Sequence, residues 1–490
     1  MASSAAWMVG FRLFERLLGV VSTLVLARLL LPADFGLVAM AMAVFAALEV
    51  FGSFNFDLAL VQREHPERRH FDTAWTYTVI VSVVSALALC ALALPAAKFY
   101  DEPRVEFILY ALAFCAFLQG FENIGLVYFQ RDLTLGKEVR FRCAKRVIGF
   151  VVTIPLAFVL RNYWALVIGI VVSRVSGVWL SYLMHPYRPR FSLRAGDDLF
   201  HFSKWMLVNN VLLFAVVKGV DFTIGKLAGP AALGLYSVAY EISNLPTTEL
   251  VMPIGRAVFP GYAMIAGDTD RLRDAYLKVL AVIAIFAVPA GTGIVVLAEP
   301  IVHALLGERW LGTVPLIQWL ALYGIMRACS SNMGSVYLAL GRPRLITGLG
   351  LLTVTILAPL LIWLTPRYGS LAAGWALLAA SAVTLPPSFW ILRRLIGLRL
   401  WSVHQAMWRP VVASSAMGLA IGAVHASFPF ANRMADVLVY VLFGVTIYIL
   451  TILLLWFSCG APAGAERYLL HTVAEKIDGI RTRRARHAPN

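Results

Sequence analysis

Charge is what this chain has least of: Asp, Glu, Lys and Arg together make up 14% of its 490 residues, while 60% are hydrophobic. An ordinary soluble domain carries about 25% charged and roughly 45–50% apolar residues, so a soluble globular protein is excluded. Disorder is excluded as well, because a disordered chain combines low hydrophobicity with high net charge. Cysteine is scarce too. The five thiols, Cys90, Cys115, Cys143, Cys329 and Cys459, are scattered, and no Cys-x-x-Cys or His/Cys spacing accompanies them. Neither a disulfide framework nor a metal site is expected, and no cofactor. The opening Met1-Ala2-Ser3-Ser4 lacks a basic region before a short apolar core. The first apolar run is therefore expected to be a retained helix rather than a signal peptide.

What fills the chain is apolar runs of helical length. A membrane-spanning helix takes about 20 residues, and fourteen candidates follow one another. They lie near 5–30, 36–61, 72–97, 104–130, 146–160, 162–184, 200–225, 232–256, 277–298, 312–339, 344–364, 369–392, 409–427 and 435–458. The expected fold is all-α: a polytopic integral membrane protein of about fourteen transmembrane helices. Its organisation is expected to be two pseudo-symmetric six-helix lobes, 1–198 and 199–395, a peripheral helix pair at 396–460 and a basic tail at 461–490.

The net charge of +15 reads as an orientation signal. Sorted over these spans with the start inside, 28 of the 42 basic residues fall in the even-numbered gaps and the tail, 7 in the opposite gaps and 7 within spans. Short loops with an excess of Lys and Arg stay in the cytoplasm, so both termini are expected there. Basic residues dispersed along membrane boundaries make a poor nucleic-acid surface, and no nucleic-acid partner is expected; membrane lipids are.

An internal repeat supports the two lobes. Pro32-Ala33-Asp34-Phe35-Gly36-Leu37, between spans 1 and 2, reappears as Pro230-Ala231-Ala232-Leu233-Gly234-Leu235, between spans 7 and 8. The offset is 198 residues. Two halves of even helix number share one orientation and are related by an axis along the membrane normal, an architecture of transporters.

Ionisable residues inside spans are costly and face a cavity or a partner. Span 1 carries Arg12, Glu15 and Arg16; span 2, Glu49 and Asp57; span 4, Glu122; span 6, Arg174. Span 7 carries Lys218 and Asp221, span 8 Glu241 and Glu249, and span 10 Arg327. Trp319, Tyr323, Arg327, Ser331 and Ser335 recur every four residues down one face of span 10. Ser237, Glu241, Asn244 and Thr248 form a similar stripe on span 8. Arg12, Arg16, Arg174, Lys218 and Arg327, with the aromatic Trp319 and Tyr323, are the candidate substrate contacts of a cationic cavity. Glu122, Asp221 and Glu241 are the candidate ion-coupling carboxylates, since apolar surroundings raise a carboxyl pKa. Bland alternatives stand beside these. Lys218 and Asp221 are three residues apart and can neutralise one another. Arg12 can snorkel to the interface, and Arg174 and Arg327 can each pair with another helix.

Several of these segments resemble a known family. They are Leu30 to Leu37, Gln130-Arg131-Asp132-Leu133-Thr134-Leu135-Gly136-Lys137, Leu227 to Tyr236 and Arg256-Ala257-Val258-Phe259-Pro260. They are similar to bacterial polysaccharide transporters of colanic-acid or succinoglycan type, oligosaccharide-lipid flippases of the multidrug/oligosaccharidyl-lipid/polysaccharide exporter superfamily. The resemblance runs to about residue 395 and is most specific over Gly225 to Pro260. It implies a MATE-like fold in the bacterial inner membrane. It also implies alternating access between the lobes, and a polyprenyl-pyrophosphate-linked oligosaccharide as substrate. A polysaccharide polymerase and export machinery are the implied neighbours. A drug or cation antiporter of the same superfamily would want acidic groups to dominate the cavity. A glycan-processing enzyme would want a paired acid and base, and the longest outer gap, Ala298 to Leu311, offers only Glu299 and Glu308.

Overall fold

The computed structural model describes residues 2–52, 60, 67–132, 134–193, 196–427, 434–462 and 464–467. Asp57 and most of the basic tail lie outside them. Helix α1 spans Ala2–Leu29, α2 Pro32–Gly52 and α3 Arg68–Tyr100. Helix α4 runs over Arg104–Gly120 and continues, after a bend of 63°, through Ile124–Arg131. Helix α5 spans Leu135–Leu160 and α6 Trp164–Met184. The helical run Gly196–Pro246 is broken at Gly229, whose φ of 80° and ψ of −179° end α7 (196–228) and begin α8. Helix α8 runs from 230 through a π turn at Thr247–Val251 and on over Met252–Met264. Then come α9 (Thr269–Val296), α10 (Val314–Ala339), α11 (Pro343–Tyr368), α12 (Leu371–Ile396), α13 (Leu400–Ser427) and α14 (Met434–Ser458). The described residues include no strand.

Among the described residues, nine helices are long and apolar enough to cross a membrane, ten if bent α4 counts as one span. The chain is a multi-pass membrane protein. Helices stand at all fourteen expected places, but apolar length alone does not deliver fourteen spans. Helices α8 and α10 fall outside the apolar set, and these carry the polar stripes of Glu241 and Arg327. Several helices also exceed the apolar windows. Helix α5 begins at Leu135, not near 146, because a helix needs only backbone hydrogen bonds to continue past the hydrocarbon layer. Residues expected in a cytoplasmic gap, Arg140, Arg142 and Lys145, are therefore helical.

Backbone packing divides the chain into two compact units. The first is Met1–Ser237 with Leu305–Trp310 and Ala358–Ala373; the second is Val238–Ala304, Leu311–Leu357 and Gly374–Asn490. In the first unit α3 lies along α4, α5 along α6, and α1 against α5. In the second, α9 packs on α10 and α13, and α13 on α14. The C-terminal pair is thereby docked: Tyr448 donates its hydroxyl to the Ile285 carbonyl at 2.8 Å.

The two repeat motifs meet inside the first unit. A Cβ on Gly36 would overlap the Pro230 carbonyl, and a Cβ on Gly234 would overlap the Pro32 carbonyl. The relation is reciprocal, as a local two-fold between repeats requires. Only glycine lets the two backbones approach this closely. Asp34 fixes the first of these turns by accepting from Leu31 N at 2.9 Å and from Tyr163 N at 3.1 Å.

A polar cavity and a tethered arginine

The first unit forms a half-open cavity of about 860 Å³ lined by α1 to α6. Its polar wall is built largely by α5, where Glu138, Arg142, Lys145, Gly149 and Thr153 recur at three- and four-residue steps, one face of a helix. Small residues bring α6 close to that wall. A Cβ on Gly169 would overlap Thr153 Oγ1, and one on Gly177 would stand 2.9 Å from Lys145 Cε. The Lys145 side chain therefore lies across Gly177, and its Nζ stands 3.7 Å from Glu122 Oε2. Arg146 turns the other way, toward α1, where its Nη2 is 3.3 Å from the Cβ position of Gly19. Arg174 projects from α6, with Nη2 4.0 Å from Glu49 Oε1 on α2.

Four cations (Arg142, Lys145, Arg146 and Arg174) and three carboxylates (Glu15, Glu122 and Glu138) thus line one cavity. Their pairing is uneven. Arg142 holds Glu138 at 2.6 Å, whereas the Lys145 and Arg174 pairs, at 3.7 and 4.0 Å, are longer than a charge-assisted hydrogen bond of about 2.7–2.9 Å. Among the described residues Arg146 has no carboxylate within salt-bridge distance. A cavity with loosely engaged cations can exchange their carboxylate partners for the oxygens of an incoming anion.

The bend in α4 sets the place of Glu122, and Asn123 holds the bend. Its Oδ1 accepts from Gly125 N at 2.9 Å, and its Nδ2 donates to the Tyr187 carbonyl at 2.8 Å. The segment after α6 is strapped down in turn. Tyr187 donates its hydroxyl to Asp72 Oδ1 at 2.7 Å, Arg190 N donates to the same oxygen at 3.0 Å, and Ser192 N donates to Thr76 Oγ1 at 2.9 Å. His185 stacks on Tyr128, with ring centroids 5.5 Å apart. Burial first, and then the charge of Lys137, push the His185 imidazole below its ordinary pKa.

In the second unit the polar stripes of α8 and α10 face each other. Arg327 Nη1 donates to Tyr240 Oη at 2.9 Å and to Asn244 Oδ1 at 3.3 Å. Ser243 ties the same helices by donating to the Ile317 carbonyl at 3.1 Å. Two of the arginine's tethers are thus neutral groups, a phenol hydroxyl and an amide oxygen.

The remaining expected residues divide. Lys218 and Asp221 form an ion pair at 2.7 Å in the first unit. Trp319 packs on α12, its Cβ 2.8 Å from the Cβ position of Gly374, with its ring edge-on to Trp375 at 6.3 Å. Tyr323 is half-buried one turn before Arg327, and Glu241 is half-buried beside Tyr240. Arg12 and Arg16 lie on α1, but their side chains fall outside the described residues. Sequence reasoning missed Lys145, Arg146 and Asn123 as cavity residues, and Tyr240 as a partner of Arg327.

The sequence profile described as "Polysaccharide biosynthesis protein" matches residues 25–315, more than half of the chain. The chain belongs to the polysaccharide biosynthesis protein family. Two relatives span most of its length. One is the teichuronic acid biosynthesis protein TuaB of Bacillus subtilis, 26% identical over 78% of this chain and 80% of that protein. The other is the succinoglycan biosynthesis transport protein ExoT of Rhizobium meliloti, 25% identical over 95% and 92%. In fold, the chain is similar to the lipid II flippase MurJ in an inward closed conformation. The TM-score is 0.73 at 12% identity, covering 93% of this chain and 99% of that one. The profile takes in α2 to α9 whole, and with them every described lining residue of the cavity except Glu15, Leu18 and Ser22 of α1.

Proposed function

We propose that this member of the polysaccharide biosynthesis protein family is a flippase. It moves a polyprenyl-pyrophosphate-linked oligosaccharide across the bacterial inner membrane by alternating access, for assembly of an exopolysaccharide or lipopolysaccharide. The observation that carries the reading is a polar cavity inside a membrane-spanning unit, with four cations on its wall. A cation within a membrane-spanning unit needs a counter-charge, and guanidinium forks pair bidentately with phosphate oxygens. Lys145, Arg146 and Arg174 receive the pyrophosphate, while Glu122 and Glu49 hold Lys145 and Arg174 in its absence. Arg327, with Tyr240 and Asn244, offers a second polar station, and Trp319 and Tyr323 supply aromatic surface on the same face of α10. Arg12, Arg16 and Lys218 complete the cationic set. Glu122, Asp221 and Glu241 are the coupling carboxylates. The protein carries its substrate without altering it, and both termini are cytoplasmic.

The test is deletion of the coding sequence followed by mass spectrometry of the membrane lipids. A lipid-linked oligosaccharide should accumulate and clear on complementation with the wild-type chain. Sensitivity to a soluble cationic drug with no accumulated sugar lipid would instead make the protein an antiporter.

A further inference from the structure

Between Glu308 and Asp436 the chain has no Asp, Glu or Lys, yet it contains ten arginines. Some of these have work elsewhere in the second unit. Arg327 is tethered to Tyr240 and Asn244, and Arg409 pairs with Glu466 at 3.1 Å in a buried contact. Five others sit on two turns. Arg342 and Arg344 flank the start of α11; Arg393 and Arg394 end α12, and Arg399 precedes α13. All five are exposed, and none has an ion-pair partner among the described residues.

Both turns ring one buried cluster. Met333, Val336 and Tyr337 of α10 pack there with Leu392, Ile396 and Leu398, and with Leu345 of α11 and Val403 of α13. The turns are held firmly. Arg342 N donates to the Tyr337 carbonyl at 2.8 Å, and Gly397 N to the Arg393 carbonyl at 3.1 Å. The nearby carboxylates are already engaged. Arg273 Nη1 stands 3.4 Å from the Cβ position of Gly397, and Arg273 takes Asp270 at 2.9 Å and Asp274 at 3.9 Å.

Exposed aromatic rings stand among these cations. The Arg394 guanidinium lies 3.7 Å from the centroid of the Trp390 ring, although Trp390 is 51% exposed. Trp401 is 66% exposed and stacks on His404 at 5.4 Å. Tryptophan beside arginine at a helix end marks the headgroup level of a bilayer. Arginine in place of lysine suits the bidentate geometry of a phosphate oxygen pair. Orientation alone would be served by lysine just as well, since the positive-inside bias counts both.

We infer that the α10–α11 and α12–α13 turns form a binding site for the headgroup of an anionic phospholipid in the leaflet they face. Arg393, Arg394 and Arg399 hold the phosphate, Arg342 and Arg344 widen the positive rim, and Trp390 and Trp401 lie against the upper acyl chains. Rigid turns keep the cations in place without a protein counter-ion, and the charge is completed by the membrane. The site requires no glycan substrate, so it stands or falls separately from the flippase reading.

The experiment uses the full chain in phosphatidylcholine vesicles doped with brominated phosphatidylglycerol or brominated phosphatidylcholine, reading tryptophan quenching. The brominated anionic lipid should quench more than its neutral counterpart at equal mole fraction. That excess should disappear in R393Q/R394Q/R399Q, whose substitutions are all at exposed positions, and in W390F/W401F, which keeps every arginine. Equal quenching by the two lipids would overturn the proposal. So would an excess that survives the triple substitution, since it would then belong to the general charge of that face. An excess that survives W390F/W401F would place the lipid elsewhere, and one abolished by millimolar inorganic phosphate would make the site a free-anion site.

Discussion

The two units hold half-buried positive charge with different kinds of partner. In the first, the cavity cations Lys145 and Arg174 stand 3.7 Å from Glu122 and 4.0 Å from Glu49. In the second, Arg327 is tied at 2.9 and 3.3 Å to the hydroxyl of Tyr240 and the amide of Asn244. A long ion pair between partly exposed side chains is weak and exchangeable. A guanidinium hydrogen-bonded to neutral groups keeps its full charge while its position is fixed. One unit therefore presents cations that can change partners, and the other a cation held at one place.

The largest test of that difference removes one cation from each unit. The double variant R174A/R327A should lose polysaccharide export while its membrane abundance, read by immunoblot, stays near wild type. Full export by this variant would remove both residues from transport. Next in size, K145A or R146A alone should lower export by about 10–100-fold, the effect of losing one charge-assisted hydrogen bond of about 1.5–3 kcal/mol. Complementation rate of the deletion strain reads this directly, and an unchanged rate would return α5 to a structural role.

Conservative changes sharpen the comparison further. R327K keeps the charge but cannot span Tyr240 and Asn244 as the planar fork does. It should cost about one neutral hydrogen bond, ~0.5–1.5 kcal/mol, read as a lower melting temperature. R174K keeps a single long pairing with Glu49, so its melting temperature should stay close to wild type where that of R327K falls with its lost hydrogen bond. Equal falls in the two would erase the distinction between the units.

The smallest effect is a pH dependence. His185 is pushed below its ordinary pKa in the folded chain, so the unfolded chain binds its proton more readily. Stability from this group is complete above about pH 6.5, its ordinary value, and declines as pH falls through that value toward the depressed folded pKa. Thermal unfolding followed at pH 7.5 and 5.5 should show a modest drop in Tm that His185→Gln reduces. A drop of the same size in the variant would assign it to other groups.

Much of the fold is legible in the residues alone. Apolar runs place the helices because each consumes a bilayer's worth of hydrophobic side chains, and the Pro-Ala-x-x-Gly-Leu repeat marks the two turns that meet at Gly36 and Gly234. The apolar signal fails at helix ends, where charged residues continue a helix past the hydrocarbon. For that reason Lys145 and Arg146, read as solvated loop cations, prove to be cavity wall. Their three- and four-residue spacing with Glu138, Gly149 and Thr153 was the available clue. Asn123 carries no such clue, since its partners outside α4 lie 58 to 64 residues away. Lys218 and Asp221 show the opposite case: a spacing of three along one helix anticipates their ion pair at 2.7 Å.

Composition and apolar periodicity were enough to determine a multi-pass, helical membrane protein with a repeated turn, because burial in lipid constrains every helix locally. Which cation meets which partner was decided only by tertiary structure. Arg174 reaches Glu49, Lys145 crosses Gly177 to Glu122, and Arg327 rests on Tyr240, each through side chains from helices distant in sequence. Charge–charge and hydrogen-bond energies depend on separations of a few ångströms, and those separations come from how helices pack, not from the order in which they are written.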